Sequence, residues 1–375
     1  MNALFIANDR NLFEEGSEVQ LRMQQYAEAI GTLHVLSRSG AHASFVQRGS
    51  LFLHPLKGSL LDMIPVARAL IAEHSIEIVS AQDPFEYGWI ASRAIVGTDA
   101  KLHIQIHTDF LSPWFTKAGG FRSPRVPVPL LNFVRRYIAD RVLPKASGIR
   151  VVSERIKNSL KERYGDALAP IAVIPIAVSA IVPPPVPLPP HDFAFALITV
   201  ARLEPEKRIE DILYAIARIR FDYPSVGLFV VGAGSESGRL KRLAKKLGLS
   251  DRVVFIEGWR TDAWSLMQSA QAYIQASAYE GYGRTLVEAA LARLPIITTD
   301  VGIVGEVFAG YKEVLSAPVA DPAALAVHIR GLVDDHQARA LLALEAEKTA
   351  RAHVEGLKDQ PQRVARDLFE TLERA

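Results

Sequence analysis

Hydrophobic and polar positions along the first half of the chain alternate between short apolar runs and helical repeats. The short runs predict strands over residues 4–7, 33–36, 76–79, 102–106, 148–152 and 171–174. Apolar residues at helical spacing predict helices over residues 19–30, 60–72, 89–96, 127–138 and 156–164. Strands that alternate with helices are typical of a parallel sheet covered on both faces. The pattern therefore predicts a doubly wound α/β domain over residues 1–180.

A proline-rich stretch follows this domain. Eight prolines lie between residues 170 and 190, and because proline breaks helices, this long uncharged run is not a membrane span. Such a stretch is stiff and extended, so we interpret residues 181–192 as a connector. The alternation then restarts, with strands over 195–200, 227–231, 253–256 and 272–275 and helices over 209–219 and 240–247. We predict a second doubly wound domain over 193–355, with a helical tail from residue 321.

Two glycines, Gly281 and Gly283, fall between a strand and a helical pattern in the second domain. A glycine turn lets backbone approach a ligand, and the helix that begins near Gly283 directs backbone amides and a partial positive charge at it. The turn therefore favours an anionic ligand. Glu280 and Glu288 flank it, and carboxylates accept hydrogen bonds from sugar hydroxyls. The alternative is that Glu280 caps a turn and Glu288 is a solvated helix residue.

The surrounding sequence resembles the donor-site signature of the retaining glycosyltransferases of family 4. That signature has a Glu-Gly-aromatic-Gly turn, a second Glu eight residues after the first, and a Leu-Pro-apolar-apolar strand leading to Asp-x-Gly. Here the chain continues Leu294-Pro295-Ile296-Ile297-Thr298-Thr299-Asp300-Val301-Gly302. The resemblance implies the GT-B fold, two Rossmann-like domains facing a cleft, with a C-terminal helix at about 358–375 that returns to the first domain.

A second motif follows the strand at 195–200. Arg202, Lys207 and Arg208 lie where the family has Gly-Arg-Leu-x-x-x-Lys-Gly, which implies that Arg202 and Lys207 hold the nucleotide diphosphate. Arg208 replaces the family's glycine, which leaves the local geometry open. The alternative is a solvated basic start of a helix.

The resemblance assigns further residues to the donor. Glu280 would hold hydroxyls of the donor sugar and Glu288 those of the ribose. The other donor-binding residues it implies are Gly281, Tyr282, Gly283, Arg284, Thr285, Gly232, Gly258 and Trp259. Interdomain packing is the alternative for Trp259. A nicotinamide fingerprint at Gly232 is rejected, because the next glycine of the motif comes one residue late.

Three residues of the first domain complete the prediction. His107 ends a strand and matches the family histidine near the donor sugar and phosphate, although a structural role is the alternative. Gly16 and Ser17 are the best match to the family's Gly-Gly pair on the acceptor side, from which the loop departs. Ser153 is expected to cap a helix rather than bind ligand.

Composition narrows the remaining choices. A chain of 375 residues has room for two cores, and the absence of cysteine excludes disulfides, thiolate metal sites and cysteine nucleophiles. The first apolar run is too short for a signal peptide, so we expect a cytoplasmic protein, peripheral on the inner face of the cell membrane. No Asp-x-Asp motif is present, and we expect neither a metal nor a cofactor.

The net charge of +2 is unevenly distributed. Residues 111–163 contain twelve Lys or Arg and three acidic residues, with aromatic residues between them. Nucleic-acid binding is disfavoured because no such motif accompanies this block. Solvation of a surface helix is a second explanation. The third, which we prefer, is an anionic membrane surface that holds a lipid-linked acceptor.

The resemblance implies retaining, metal-independent transfer from a UDP- or GDP-sugar to a glycan, lipid-linked or small-molecule acceptor, as in polysaccharide biosynthesis. A nucleotide-sugar epimerase of the same fold and an inactive nucleotide-sugar binding module are the alternatives.

Overall fold

The computed structural model describes residues 1–39, 43–117, 121–123, 126–258 and 260–374. The strands, in chain order, are β1 (Asn2–Ala7), β2 (Thr32–Arg38), β3 (Val46–Arg48), β4 (Leu51–Leu56), β5 (Ile78–Ala81), β6 (Lys101–Ile106), β7 (Phe121–Ser123), β8 (Val126–Pro127), β9 (Gly148–Val151), β10 (Ile171–Val173), β11 (Phe195–Val200), β12 (Val226–Gly232), β13 (Val253–Glu257), β14 (Ala272–Ile274), β15 (Ile296–Thr299) and β16 (Leu315–Ala317).

The helices are α1 (Glu18–Ile30), α2 (Met63–Glu73), α3 (Glu86–Ala94), α4 (Val128–Val142), α5 (Glu154–Tyr164), α6 (Ile209–Ile219), α7 (Ser237–Lys246), α8 (Ala263–Met267), α9 (Arg284–Leu291), α10 (Pro322–Asp334), α11 (His336–Glu355) and α12 (Gln360–Glu373). None of those in the described part of the chain combines the length and apolarity needed to cross a bilayer.

The first compact unit comprises Met1–Leu111, Asn132–Ile176 and Lys358–Ala375. Its sheet has the order β10-β9-β6-β5-β1-β2-β4-β3, in which only the β3–β4 pair is antiparallel. Fully buried aliphatic and aromatic residues of β1, β2 and β4 form its core with α1. Burial on both faces explains why these strands appear in the sequence as continuous apolar runs.

Helix α12 packs into the core of this first unit. Val364, Ala365 and Leu368 belong to the same hydrophobic cluster as β1 and α1. A Cβ on Gly148 would lie 2.1 Å from Thr371 Oγ1, so only glycine permits this close approach of β9 and α12. The C-terminal helix therefore completes a unit whose other parts lie about two hundred residues earlier in the chain.

The second unit comprises Ser112–Leu131 and Ala177–Leu357. Its sheet is parallel, with the order β13-β12-β11-β14-β15-β16. The strand order reverses direction at β11, between β12 and β14, and ligands of open α/β sheets bind outside the carboxyl ends of strands at such a point. The predicted fold class, two parallel α/β sheets of the GT-B type, is confirmed.

Among the features that differ from the sequence-based description are a strand, the course of the proline-rich stretch and a domain boundary. The strand β4 was not predicted, because His54 and Pro55 interrupt its apolar run. The proline-rich stretch lies along α8 of the second unit, where Val186 N–H donates to Ser265 O (3.2 Å) and Ser269 Oγ donates to Val186 O (2.8 Å). Residues 112–131 belong to the second unit, although the sequence placed all of 1–180 in one domain.

Three histidines of the first unit form a stacked cluster. His34 is buried in β2, with Nδ1 3.0 Å from His54 Nε2, and its ring stacks on His74 at 4.2 Å and on Phe52 at 4.7 Å between centroids. Burial, followed by the charges of His74 and His54, lowers the pKa of His34 to about 4. The cluster is therefore stable with a neutral His34.

This pKa predicts a pH-dependent stability. The folded-state pKa of His34 lies below the unfolded value of about 6.5, so its stabilising contribution is present above pH 6.5 and is lost as pH falls toward 4. Between pH 7 and pH 5 the free energy of unfolding should fall by about 2 kcal/mol from this group. Urea denaturation of the parent protein and of His34→Asn at both pH values measures this change in the free energy of unfolding. Equal pH dependence in the two proteins would contradict the assignment.

Candidate functional site

An ion pair joins the loops that follow β11 and β14, the two central strands of the second unit. Lys207 Nζ lies 2.5 Å from Glu280 Oε1, and each side chain is only 15% exposed. Ser277 Oγ donates to the same carboxylate oxygen at 2.8 Å. The backbone adds a third connection, because Ala278 N–H donates to Glu206 O at 2.7 Å. Two predicted catalytic residues are therefore held together in a partly desolvated position.

The second cation predicted to hold the diphosphate, Arg202, is more exposed than Lys207. Arg202 is 59% exposed, and its Nη2 lies 3.0 Å from Glu206 Oε1. An exposed ion pair of this kind contributes little to stability. The guanidinium can therefore exchange Glu206 for an anionic ligand at small cost.

The glycine turn after β14 has the predicted geometry. Gly283 is left-handed (φ 95°, ψ 50°) and directly precedes α9, whose first turn has no side-chain cap among the described residues. A Cβ on Gly302 would lie 2.3 Å from Tyr282 O, and Ile303 N–H donates to that oxygen at 3.0 Å. The glycine of the Asp-x-Gly motif is therefore required, because a side chain at position 302 would collide with the backbone of the turn. Gly281 is buried within the turn.

Glu288 lies inside α9 and is not a solvated residue. It is buried, its Oε1 accepts from Arg284 Nε at 2.6 Å, and its carbonyl accepts from Trp264 Nε1 at 2.8 Å. The half-buried Thr285 donates its Oγ1–H to Gln275 Oε1 at 3.2 Å. The turn therefore presents a carboxylate that is already oriented by an arginine.

The prediction that Tyr282 binds the donor needs a correction. Its side chain is 2% exposed and its hydroxyl lies 2.6 Å from Nε2 of His353 on α11. Burial lowers the pKa of His353, which favours a neutral ring as the hydrogen-bond partner of the phenol. Tyr282 anchors the turn to α11, and its side chain is not available to a ligand.

Two further predicted glycines end neighbouring strands. Gly232 ends β12 with φ 139°, and a Cβ there would lie 2.0 Å from Ala201 O. Gly232 therefore permits close packing of the loop after β12 against the loop that carries Arg202. Gly258 follows β13 with φ 101°, a value that favours glycine. Trp259 lies outside the described residues.

Arg208 adopts the backbone conformation that the family's glycine would provide. Its φ of 47° and ψ of 41° are left-handed, and it precedes α6. Its guanidinium binds Asp211 with two hydrogen bonds (2.6 and 3.0 Å) and lies 5.4 Å from the ring centroid of Trp114. These contacts offset a strain that costs a non-glycine residue about 1–2 kcal/mol.

The sequence did not indicate that residues 112–117 take part in this site. Phe115 is buried, and its ring meets that of Tyr279 edge-on at 5.5 Å. Trp114 and Phe115 thus contact the neighbours of Lys207 and Glu280 respectively. The adjacent aromatic pair in a loop was the available signal, and we had interpreted it as part of the basic block.

The remaining predicted residues belong to the first unit. His107 follows β6, and its Nε2 lies 3.3 Å from Gln105 Oε1. Burial, followed by the charges of Arg150 and Arg22, lowers the pKa of His107 to about 3, so its ring is neutral.

Gly16 and Ser17 have local structural roles. Gly16 is left-handed (φ 74°). Ser17 caps α1, where its Oγ accepts from Gln20 N–H at 3.2 Å and donates to Asn11 O at 2.7 Å. The hydroxyl that we assigned to the acceptor side is therefore engaged in starting a helix.

Comparison with known protein families identifies the family to which the chain belongs. The family model described as Glycosyl transferases group 1 matches residues 191–349, and the model described as Glycosyltransferase Family 4 matches residues 20–180. The chain belongs to glycosyltransferase family 4. The first match contains the Lys207–Glu280 pair, the glycine turn and α9.

Curated glycosyltransferases are similar in sequence to parts of this chain. A glycogen synthase of Mycobacterium tuberculosis is 30% identical over 201 residues, which cover 53% of this chain and 47% of that protein. The phosphatidylinositol N-acetylglucosaminyltransferase gpi3 subunit of Schizosaccharomyces pombe is 24% identical over 313 residues, 83% of this chain and 65% of that protein. The chain spans about half to two thirds of the length of these relatives.

Solved structures share the fold along the whole chain. Sucrose-phosphate synthase from Thermosynechococcus elongatus has a TM-score of 0.79 at 18% identity and covers 99% of this chain and 100% of its own. HepE from Anabaena, solved with UDP-glucose, has a TM-score of 0.73 at 20% identity with the same coverage. At these identities the likeness supports the fold alone.

The contacts of Arg208 predict a stability change. Arg208→Gly relieves the left-handed strain but leaves the buried carboxylate of Asp211 without its partner, and loss of one member of a buried pair costs about 3–5 kcal/mol. We expect a net loss of about 2 kcal/mol, a fall of roughly 4–8 °C in melting temperature. Adding Asp211→Asn to this variant should restore part of the lost stability. A melting temperature of Arg208→Gly at or above that of the parent would contradict this account.

Proposed function

We propose that this protein transfers a hexosyl group from a nucleoside diphosphate sugar to a hydroxyl group of an acceptor, with retention of anomeric configuration. The observation that carries the proposal is the Lys207–Glu280 pair at the carboxyl ends of β11 and β14, beside the amino terminus of α9. In a family 4 member these groups lie where a sugar nucleotide is expected.

The proposed chemistry follows from the charges of the second unit. As the bond from the anomeric carbon to the diphosphate breaks, negative charge develops on the leaving oxygen. Lys207 and Arg202 stabilise that charge, together with the amides of α9. The acceptor oxygen bonds to the same face of the anomeric carbon, and its proton passes to the departing diphosphate. Glu280 accepts from hydroxyls of the donor sugar while it holds Lys207, and Glu288 accepts from the ribose.

The donor and the metal requirement are the finer parts of this proposal. A UDP-sugar is the first donor to test, because HepE, which shares the fold, was solved with UDP-glucose. Cationic side chains and a helix terminus supply the stabilisation that a divalent ion gives in metal-dependent transferases. The acceptor is a glycan or a lipid-linked molecule, in line with the names of the glycogen synthase and the phosphatidylinositol N-acetylglucosaminyltransferase subunit that match this chain.

A membrane surface is a further part of the proposal, and α4 supports it. Phe133, Val134 and Tyr137 of the first unit are each 45–65% exposed and recur at the spacing of one helix face. Arg141 stacks over the Tyr137 ring at 3.5 Å, which places a cation beside this apolar stripe. An apolar stripe with neighbouring cations is typical of helices that lie at an anionic bilayer surface.

Other cations of the basic block are engaged within the protein. Arg135 Nε pairs with Glu86 Oε1 at 2.9 Å, and Arg136 donates to Phe110 O at 2.7 Å. Arg163 pairs with Asp140 at 2.8 Å. Replacing these arginines would alter the fold as well as the surface, so the stripe itself is the better target.

Loss of the leaving-group cations should reduce turnover. Lys207→Ala and Arg202→Ala should each lower kcat by roughly ten- to a thousandfold, the range for losing one preorganised charge partner. Arg363→Ala removes a cation from a surface pair with Asp359 and serves as the control. Turnover of UDP-, GDP- and ADP-sugars is measured with and without acceptor. Normal rates in both variants would place the diphosphate elsewhere, and acceptor-free isomerisation would indicate the epimerase.

Metal independence is tested by chelation. Because side-chain cations meet the charge of the leaving group, the transfer rate should be unchanged in excess EDTA. The rate is measured in EDTA and again after manganese or magnesium is added. Complete loss in EDTA that either metal restores would overturn this part of the proposal.

Membrane binding is tested by sedimentation with vesicles of graded anionic lipid content. Phe133→Glu with Tyr137→Glu should abolish binding that increases with anionic lipid and decreases with salt. Phe221→Glu is the matched control, because Phe221 is 81% exposed and also lies beside an arginine, Arg220, at 4.5 Å. Binding that is independent of lipid charge, or unchanged in the double variant, would overturn the membrane assignment.

A further inference from the structure

One face of β6 carries buried polar side chains. His103, Gln105 and His107 alternate along this strand and its end, so they share one side of the sheet. His103 is 0% exposed and Gln105 is 2% exposed. Buried polar side chains are costly unless they are hydrogen-bonded, so a polar face at this depth requires an explanation.

A continuous chain of hydrogen bonds runs along this face. His107 Nε2 lies 3.3 Å from Gln105 Oε1, and Gln105 Nε2 lies 3.0 Å from Ser80 Oγ. Ser80 Oγ lies 2.8 Å from His103 Nδ1, and His103 Nε2 lies 3.0 Å from Asp367 Oδ2 on α12. The chain therefore connects the C-terminal helix to the end of β6, entirely within the first unit.

The direction of each hydrogen bond follows from Arg150. Arg150 is 2% exposed, and its guanidinium, which can only donate, lies 3.0 Å from Gln105 Oε1 through Nη1. This oxygen is therefore the acceptor, so His107 Nε2 must carry a proton to donate to it. The amide nitrogen of Gln105 then donates to Ser80.

At the Asp367 end of this series of hydrogen bonds, the donors and acceptors are consistent with the same direction. The carboxylate of Asp367 accepts from His103 Nε2–H, and in a neutral His103 ring Nδ1 then accepts from the Ser80 hydroxyl. The oxygen of Ser80 is then available to accept from Gln105. Arg150 at one end and Asp367 at the other therefore fix the same orientation of the Gln105 amide.

We infer that Gln105, Arg150, Ser80 and the His103–Asp367 pair are positioning residues that hold His107 as the neutral tautomer with its proton on Nε2. Nδ1 of His107 is then an acceptor, suited to a hydroxyl group of a substrate rather than to a phosphate oxygen. The identity of that hydroxyl as one of a sugar rests on the proposed function. The neutral ring agrees with the lowered pKa of His107.

The tautomer is measured directly by NMR of the protein labelled with nitrogen-15 histidine. We expect His107 to show a protonated Nε2 and an unprotonated Nδ1 at neutral pH. Gln105→Met has a similar length but lacks the acceptor oxygen, so it should give a mixture of both tautomers. Its kcat should fall about tenfold, the effect of losing one hydrogen bond to a reacting geometry. The thermal shift on nucleotide binding should not change, because the predicted nucleotide-binding residues lie in the second unit.

Further variants keep the test decisive. Gln105→Leu likewise removes the acceptor oxygen opposite His107 Nε2, so it should also mix the tautomers of His107, and it carries the test if Gln105→Met does not fold. Asp367→Asn should disturb the His103 tautomer, whereas Asp359→Asn, in a surface pair with Arg363 near the start of α12, should not.

Failure of this inference and failure of the proposed function are distinguishable. An imidazolium or a protonated Nδ1 at His107 in the parent protein would overturn the inference, whatever reaction the protein catalyses. A tautomer that remains unchanged in Gln105→Met, or in Gln105→Leu if the first variant does not fold, would also overturn it. Conversely, the inferred tautomer in a protein that turns over no nucleotide sugar would contradict the proposed function alone.

Discussion

The ion pair between Lys207 and Glu280 is the interaction on which the candidate site depends. It connects the loops of the two central strands of the second unit, and both partners are largely withdrawn from water. The backbone around it is shaped accordingly: Gly302 supports the turn, and Phe115 packs against Tyr279 next to Glu280. This pair holds the ammonium group of Lys207 and the carboxylate of Glu280 at a fixed separation before a ligand binds. Less free energy is then needed to position the two groups when the ligand binds.

The sequence was most informative where chemistry and backbone geometry coincide. Both sheets were predictable because buried parallel strands are continuous apolar runs between helical repeats. The glycine turn was also predictable, since Gly283 and Gly302 are needed for their conformation or for their lack of a side chain. The orientation of Tyr282 was not, because an aromatic residue in a turn has the same sequence signal whether it faces a ligand or His353.

Long-range contacts were the least predictable from local pattern. The stacking of Trp114 on Arg208 joins residues that are ninety-four positions apart, and nothing in either loop specifies the other. The polar face of β6 is a similar case, since His103 and Gln105 look like ordinary interruptions of an apolar run until Asp367 is placed beside them. The two units thus use buried polarity differently: ion pairs such as Lys207–Glu280 at the loops of the second and an extended hydrogen-bond chain in the first.

The return of α12 to the first unit has a consequence for how the protein is made on the ribosome. Residues 1–176 emerge first, yet their core lacks Val364 and Leu368, and the hydrogen bonds of His103 lack Asp367, until the last helix has been synthesised. The second unit ends at Leu357 and can complete its own sheet beforehand. The part of the chain that is translated first is therefore the last to mature. Until α12 has been synthesised, the face of β9 that contains Gly148 has no helix packed on it. Exposed surface of this kind makes a folding intermediate prone to aggregation and a target for chaperones.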